Sequence, residues 1–222
     1  MEKEYLTKEI SEDILHNIKH FNTKEVSIIS QFDEILKGYF VLEKTNAKTS
    51  IVIPSFLMIT AKKALISSLT LLQSLQLPAC YPLIRNILEN SIYSYYINNN
   101  NEIKAIYLNR DNDVESKKKN RSQFSMKEIF KFLEIKSPSW LNEFKLQYEN
   151  SIDKGAHPNL ETFRPYVKSN HDFSYSWDLF ETKSILIEGV SKDIIAAGRL
   201  SLKIYNDLYD EIKLHQKQKN GH

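Results

Sequence analysis

The sequence predicts an all-α protein, a single-domain helical bundle of about seven or eight helices. Three observations carry that expectation. Apolar residues recur every three or four positions through most of the chain, which is the helical period. Only 5 glycines and 6 prolines interrupt 222 residues, and no paired run of alternating residues around a tight turn marks a β-hairpin. A chain of this length can also bury a full core without metals or disulfides.

Leu6, Ile10, Ile14, Ile18 and Phe21 form the stripe of a first helix. Thr23 can cap a second, with Ile29, Phe32, Leu36, Tyr39 and Phe40 on one face. The polar run 45–50 then breaks the pattern. A third helix starts at Pro54, where a missing N–H costs nothing in a first turn. Through Leu57, Ala61, Ala64, Leu65, Ser68, Leu69, Leu72 and Leu75 it is apolar on most sides, as a central helix should be.

A fourth helix is expected from Pro82 to Asn98, with Tyr81, Ile84, Leu88, Ile92 and Tyr95 as its buried stripe and Asn86, Asn90 and Ser94 on the wet side. Residues 102–119 read as a fifth, more polar helix. Ser125 and Glu128 form a capping box for a sixth, carrying Ile129, Phe130 and Leu133. Ser137-Pro138 caps a seventh, with Trp140, Leu141, Phe144, Tyr148 and Ile152 inward, and Gly155 and Pro158 stop it. The last helix, 183–216, has the seam Val190, Ile194, Ala197, Ser201, Ile204, Leu208 and Ile212. The whole chain, 1–222, is one domain, with a core over about 54–163 joined to that long C-terminal helix.

Composition narrows function by exclusion. Thirty basic residues face 28 acidic ones, so net charge gives no drive toward polyanions. A single cysteine allows no internal disulfide, and the charged N-terminus lacks the apolar core of a secretory signal. Both point to a cytoplasmic protein. The apolar stretches around 51–60 and 64–77 are broken by polar residues and fall short of the roughly 18 residues a membrane span needs, so no membrane partner is expected. The six histidines are scattered, and His16/His20 lacks the carboxylate of an HExxH zinc site, so no metal is expected. No glycine-rich phosphate loop or GxSxG elbow is present, and no cofactor is expected. Cys80, between Pro78 and Pro82, reads as a small core residue. Lys117–Arg121 reads as a solvated basic helix end.

The chemistry-bearing candidates are few. Arg85 and Glu89 lie four apart on the shoulder of the fourth helix's buried stripe, so they can pair along it. Stripping water from either costs several kcal/mol unless a partner is found. The pair reads either as an ion pair locking helices three and four or as the polar lining of a binding site. His157 follows the end of the seventh helix, where the carbonyl end of the dipole favours its charged form. It is also placed to donate to Glu89 if that helix packs on the fourth. In the stretch 171–178, Phe173, Tyr175 and Trp177 alternate with small polar residues. That spacing puts three rings on one face of an extended segment, either a connector docked on the bundle or an arm packing on a second subunit.

The stretch from Leu71 to Glu89, the tyrosine-rich Ile92–Ile97 and the later His157-Pro158-Asn159 together resemble a large bacterial helical family of unknown function. Its members carry a hydrophobic–Arg–x–x–x–Glu helix and a later His-Pro. The resemblance covers about half the chain, 59–163, and implies that Arg85, Glu89 and His157 are its marked polar positions. More distantly the chain resembles HEPN domains, helical dimers that often act as metal-independent RNases in toxin–antitoxin and phage-defence systems. That class uses an Arg followed by a His after four to six residues. The positions after Arg85 do not satisfy this spacing, whereas Arg164 and His171 do. The resemblance implies a homodimer, a possible partner protein from a defence or antitoxin system, and RNA as a possible ligand. If catalytic, His171 would be the acid or base at a 2′-hydroxyl and Arg164 would stabilise the phosphorane charge. The leading expectation is a non-catalytic or regulatory module that binds a partner protein or a small ligand, and the alternative is a HEPN-like metal-independent RNase.

Overall fold

The structure is a computed structural model, and it describes residues 24–44, 52–156, 167–169, 175–177 and 184–220. Eight α-helices occur among them: α1 Lys24–Lys44, α2 Val52–Gln73, α3 Leu77–Asn98, α4 Asn101–Leu108, α5 Val114–Gln123, α6 Met126–Lys136, α7 Leu141–Ser151 and α8 Ser184–Asn220. The all-α bundle expected from the sequence is what the chain forms. The predicted first helix and the polar run 45–50 lie outside the described residues.

Helix α3 is the centre. It packs on α2, α7 and α8, and the tight turn after Gln73 makes α2 and α3 antiparallel neighbours. Ties from Tyr81 to Asp193 and from Tyr95 to Glu211 set α3 and α8 parallel. Ties from Trp140 to Asp207 and from Tyr148 to Glu89 run α7 the opposite way. Helix α1 joins through Phe32, edge-on to Tyr205, and through an Asp33–Lys62 ion pair with α2. Gly38 lets α8 approach closely: a Cβ there would stand 2.8 Å from the Tyr209 hydroxyl oxygen and would have to displace that phenol. The core so enclosed includes Met58, Leu65, Leu72, Ile84, Leu88, Ile92, Trp140, Phe144, Ile194, Tyr205 and Leu208.

The fourth helix of the sequence begins earlier than expected, at Leu77, and takes in both prolines. Pro78 sits in the first turn, where it is harmless. Pro82 lies inside, so the carbonyl of Pro78 loses its usual helical donor. Likewise α2 starts at Val52, with Pro54 in its first turn. The expected fifth helix is two. The Asn109–Asp113 segment breaks it, because short polar side chains compete for backbone hydrogen bonds, and Asp113 re-caps α5 on the Ser116 N–H at 2.6 Å. Ser125 caps α6 as expected. Ser137 does not start α7; it closes α6 in a left-handed conformation (φ 49°), and α7 starts after Trp140.

Asn90 and Ser94, expected on the wet side, are buried. The expectation assumed one buried face, whereas α3 is covered by three neighbours. Asn90 satisfies itself on the Asn86 carbonyl at 2.7 Å, and the equally buried Ser91 shares a hydrogen bond with Ser201 of α8.

Two further departures concern α2 and the segment before α8. Helix α2 is long and apolar enough, by length and composition alone, to cross a membrane. The polar residues that seemed to break it up, such as Thr70 and Ser68, return their hydroxyls to carbonyls of the preceding turn. Half of the window is buried against the bundle, as befits a core helix. A short hairpin, absent from the sequence expectation, pairs β1 Val167–Ser169 with β2 Tyr175–Trp177 in antiparallel register, Val167 opposite Trp177 and Ser169 opposite Tyr175. Three-residue strands are too short for the alternation on which a sequence reading relies. The extended backbone at Tyr175–Trp177 does match the period-two pattern read there.

Candidate functional site

Tyr81, Arg85, Glu89 and Tyr93 repeat every four residues on α3, so they line one seam, facing α7 and the turn that follows it. Arg85 Nε donates to Glu89 Oε1 at 2.7 Å, and the Tyr148 hydroxyl of α7 donates to the same oxygen at 3.1 Å. The Arg85 guanidinium carbon stands 5.4 Å from the Tyr148 ring centroid, within cation–π reach. The two charged side chains are about a quarter exposed, 27% and 23%. The pair therefore forms as its spacing predicts, and Tyr148 joins it to α7.

Burial shapes the protonation of the seam. It opposes the Arg85 charge, yet the Glu89 hydrogen bond and charge, with Tyr148 and Tyr93 adding to them, hold the guanidinium above its ordinary value. Burial first, and Glu89 second, push Tyr93 up to about 12. The same two causes raise Tyr148. At neutral pH both phenols are donors, and Tyr148 spends its proton on Glu89.

At the lower end of the seam, α7 passes into a π turn, Ile152–Ala156. Gly155 takes φ 152°, closed to most side chains, and a Cβ there would lie 3.2 Å from both the Pro78 carbonyl oxygen and the Tyr81 ring. The missing Cβ lets the turn press on the first turns of α3. Lys154 then reaches Asp193 of α8 at 2.8 Å, and the Tyr81 hydroxyl donates to the same Asp193 oxygen at 3.1 Å.

The upper end repeats the theme. The Tyr95 hydroxyl and the Asn99 amide donate to the two oxygens of Glu211, at 3.1 and 2.8 Å, and Trp140 Nε1 donates to Asp207 at 2.8 Å. Burial first, then Glu211, raises Tyr95. Sequence reasoning missed these ties. The signal available to it was that Asp193, Asp207 and Glu211 share one stripe of α8, two heptads and then one turn apart.

Of the other predicted site residues, His157, Arg164, His171 and Phe173 lie outside the described residues. The chain enters His157 directly from the π turn at Ala156. Tyr175 and Trp177 are described as backbone in β2, opposite Ser169 and Val167. Among the described residues no group of three His, Cys, Asp or Glu side chains is disposed to hold a metal ion. Cys80 is fully buried, donates weakly to the Ser68 carbonyl, and is pushed up to about 12 by burial. That environment suits a core thiol, not a nucleophile. No family model, curated protein or solved structure matches the chain.

Proposed function

We propose that the protein is a non-catalytic, cytoplasmic bacterial helical module that binds a partner, with Arg85, Glu89 and Tyr148 as the rigid floor of its binding face. One observation carries the reading: a single oxygen of Glu89 accepts from both Arg85 and Tyr148. A carboxylate oxygen doubly engaged in this way is held in place, and it fixes two helices relative to each other. The guanidinium, about a quarter exposed and backed by the buried Tyr148 ring, is of a residue type that favours recognition of a partner. The resemblance to the bacterial helical family and to HEPN domains supports a homodimer acting within a phage-defence or toxin–antitoxin type of system.

The experiment is RNA cleavage by purified protein in EDTA, wild type beside His171→Ala and Arg164→Ala. The reading expects intact RNA in every lane. Chelator-resistant cleavage that disappears in His171→Ala would replace it with the HEPN-like RNase.

A further inference from the structure

Among the described residues, α5 is the one helix that buries no apolar side chain. Its single buried residue is Asn120, 8% exposed, and the Asn120 amide Nδ2 has no hydrogen-bond partner among the described residues. A helix of 10 residues is marginal in water, and one that is polar all round gains nothing from packing. The Asp113 cap satisfies only one end of it. Its sequence therefore leaves α5 short of a stabilising contact.

A cleft of about 280 Å³ lies between α5 and α4, lined by Glu102, Ala105, Ile106 and Asn109 on one side and Ser116 and Lys119 on the other. Residues 102, 105, 106 and 109 share one helical face, with Ile106 buried at its base. Asn120 follows Ser116 by one turn on α5. The two walls carry opposite charges. Glu102 and Lys119 are both exposed, and neither pairs with another charge among the described residues. Asn109 takes the Asn112 amide on its Oδ1 at 3.3 Å, and its own Nδ2 can donate.

We infer that the cleft between α4 and α5 binds a small zwitterion, an amino acid, with its carboxylate against Lys119 and Ser116 and its ammonium against Glu102. Charge decides the class. The Glu102 carboxylate disfavours a phosphate, and the Lys119 ammonium disfavours a polyamine, whereas a molecule carrying both charges matches both walls. Size agrees, since the cleft falls just below the roughly 300 Å³ at which pockets for larger ligands begin. Ala105 and Ile106 suit a short apolar side chain. Bound there, the ligand bridges two short helices and gives α5 the contact its own sequence does not supply. The site shares no residue with the Arg85–Glu89–Tyr148 seam, so it goes beyond the partner-binding reading and does not depend on it.

The test is amide hydrogen exchange on the full chain, reading peptides within 114–123 while each common amino acid is added in turn. A ligand at ten times its dissociation constant lowers local opening about tenfold. At least one amino acid should slow these amides by that factor and leave α3 unchanged. Glu102→Gln and Lys119→Met should each cut the slowing to less than about twofold, and Lys118→Met should keep it. The N-acetyl and the carboxamide forms of the active amino acid, each lacking one charge, should have no effect; they keep the test decisive should a variant fail to fold. No response to any amino acid at about 10 mM would overturn the inference. So would a response that survives in both variants or that the N-acetyl form reproduces. Slowing by heparin alone, lost in Lys118→Met, would overturn it too and assign α5 to a polyanionic partner.

Discussion

Tyr148 and Glu89, 59 residues apart, meet where α7 crosses α3: the phenol donates to the oxygen that also receives Arg85, at 3.1 and 2.7 Å. The same device recurs from end to end of the bundle. Tyr81 donates to Asp193 and Tyr95 to Glu211. Each tie joins a buried phenol to a carboxylate on another helix, so each fixes the sliding register of two smooth apolar surfaces.

The upper tie should show itself in stability. Trp140→Phe keeps an aromatic ring but removes the N–H that Asp207 accepts at 2.8 Å. The expected loss is about 1–3 kcal/mol, the cost of leaving a partly buried acceptor short of its donor. At about 2–4 °C per kcal/mol for a chain of this size, thermal unfolding will read it.

Alkaline pH should unfold the protein cooperatively. Tyr93, Tyr95 and Tyr148 are all raised in the folded state, Tyr93 to about 12. Between the ordinary phenol value near 10 and that value the unfolded chain binds fewer protons than the folded one, so stability falls as pH rises through this window. Below pH 10 the contribution is fully present. Absorbance at 295 nm should show a group of the 12 tyrosines ionising late and together with the loss of helix.

Cys80 should be silent toward thiol reagents in the native protein. It is buried among α3 neighbours and its thiol is pushed up to about 12, leaving almost no thiolate at pH 8. Less than one-hundredth of the denatured-state rate with a disulfide reagent is expected, rising to the full rate in guanidinium.

Gly155→Ala should destabilise more than an ordinary surface change. The backbone there sits at φ 152°, and the new methyl would press on the Pro78 carbonyl and the Tyr81 ring at 3.2 Å. A loss of more than about 1 kcal/mol is expected in urea unfolding, since strain adds to the clash.

The helical class and the inward faces of α6, α7 and α8 were legible because each has one buried side, so that period and burial agree. Ser125 with Glu128, and the Arg85–Glu89 pair, were legible because both ends lie within one turn. Legibility failed where the cause is tertiary. Asn90 and Ser94 are buried because three helices surround α3, which no single-helix projection reveals. Tyr81–Asp193 and Tyr95–Glu211 span more than 110 residues of chain, and only the parallel packing of α3 on α8 brings them together. The break between α4 and α5 lay in plain view at Asn109–Asp113, where Asp113 has the residue type and spacing of a cap.

The most direct measurement of the central claim, that Arg85, Glu89 and Tyr148 hold the bundle and do not react, is a double-mutant cycle on Arg85→Ala and Glu89→Ala read by urea unfolding. The pair is mostly buried, so each single change should cost about 1–3 kcal/mol and the coupling should be about 1 kcal/mol. Additive effects, with each variant as stable as wild type, would contradict the account and leave the cluster free for another task.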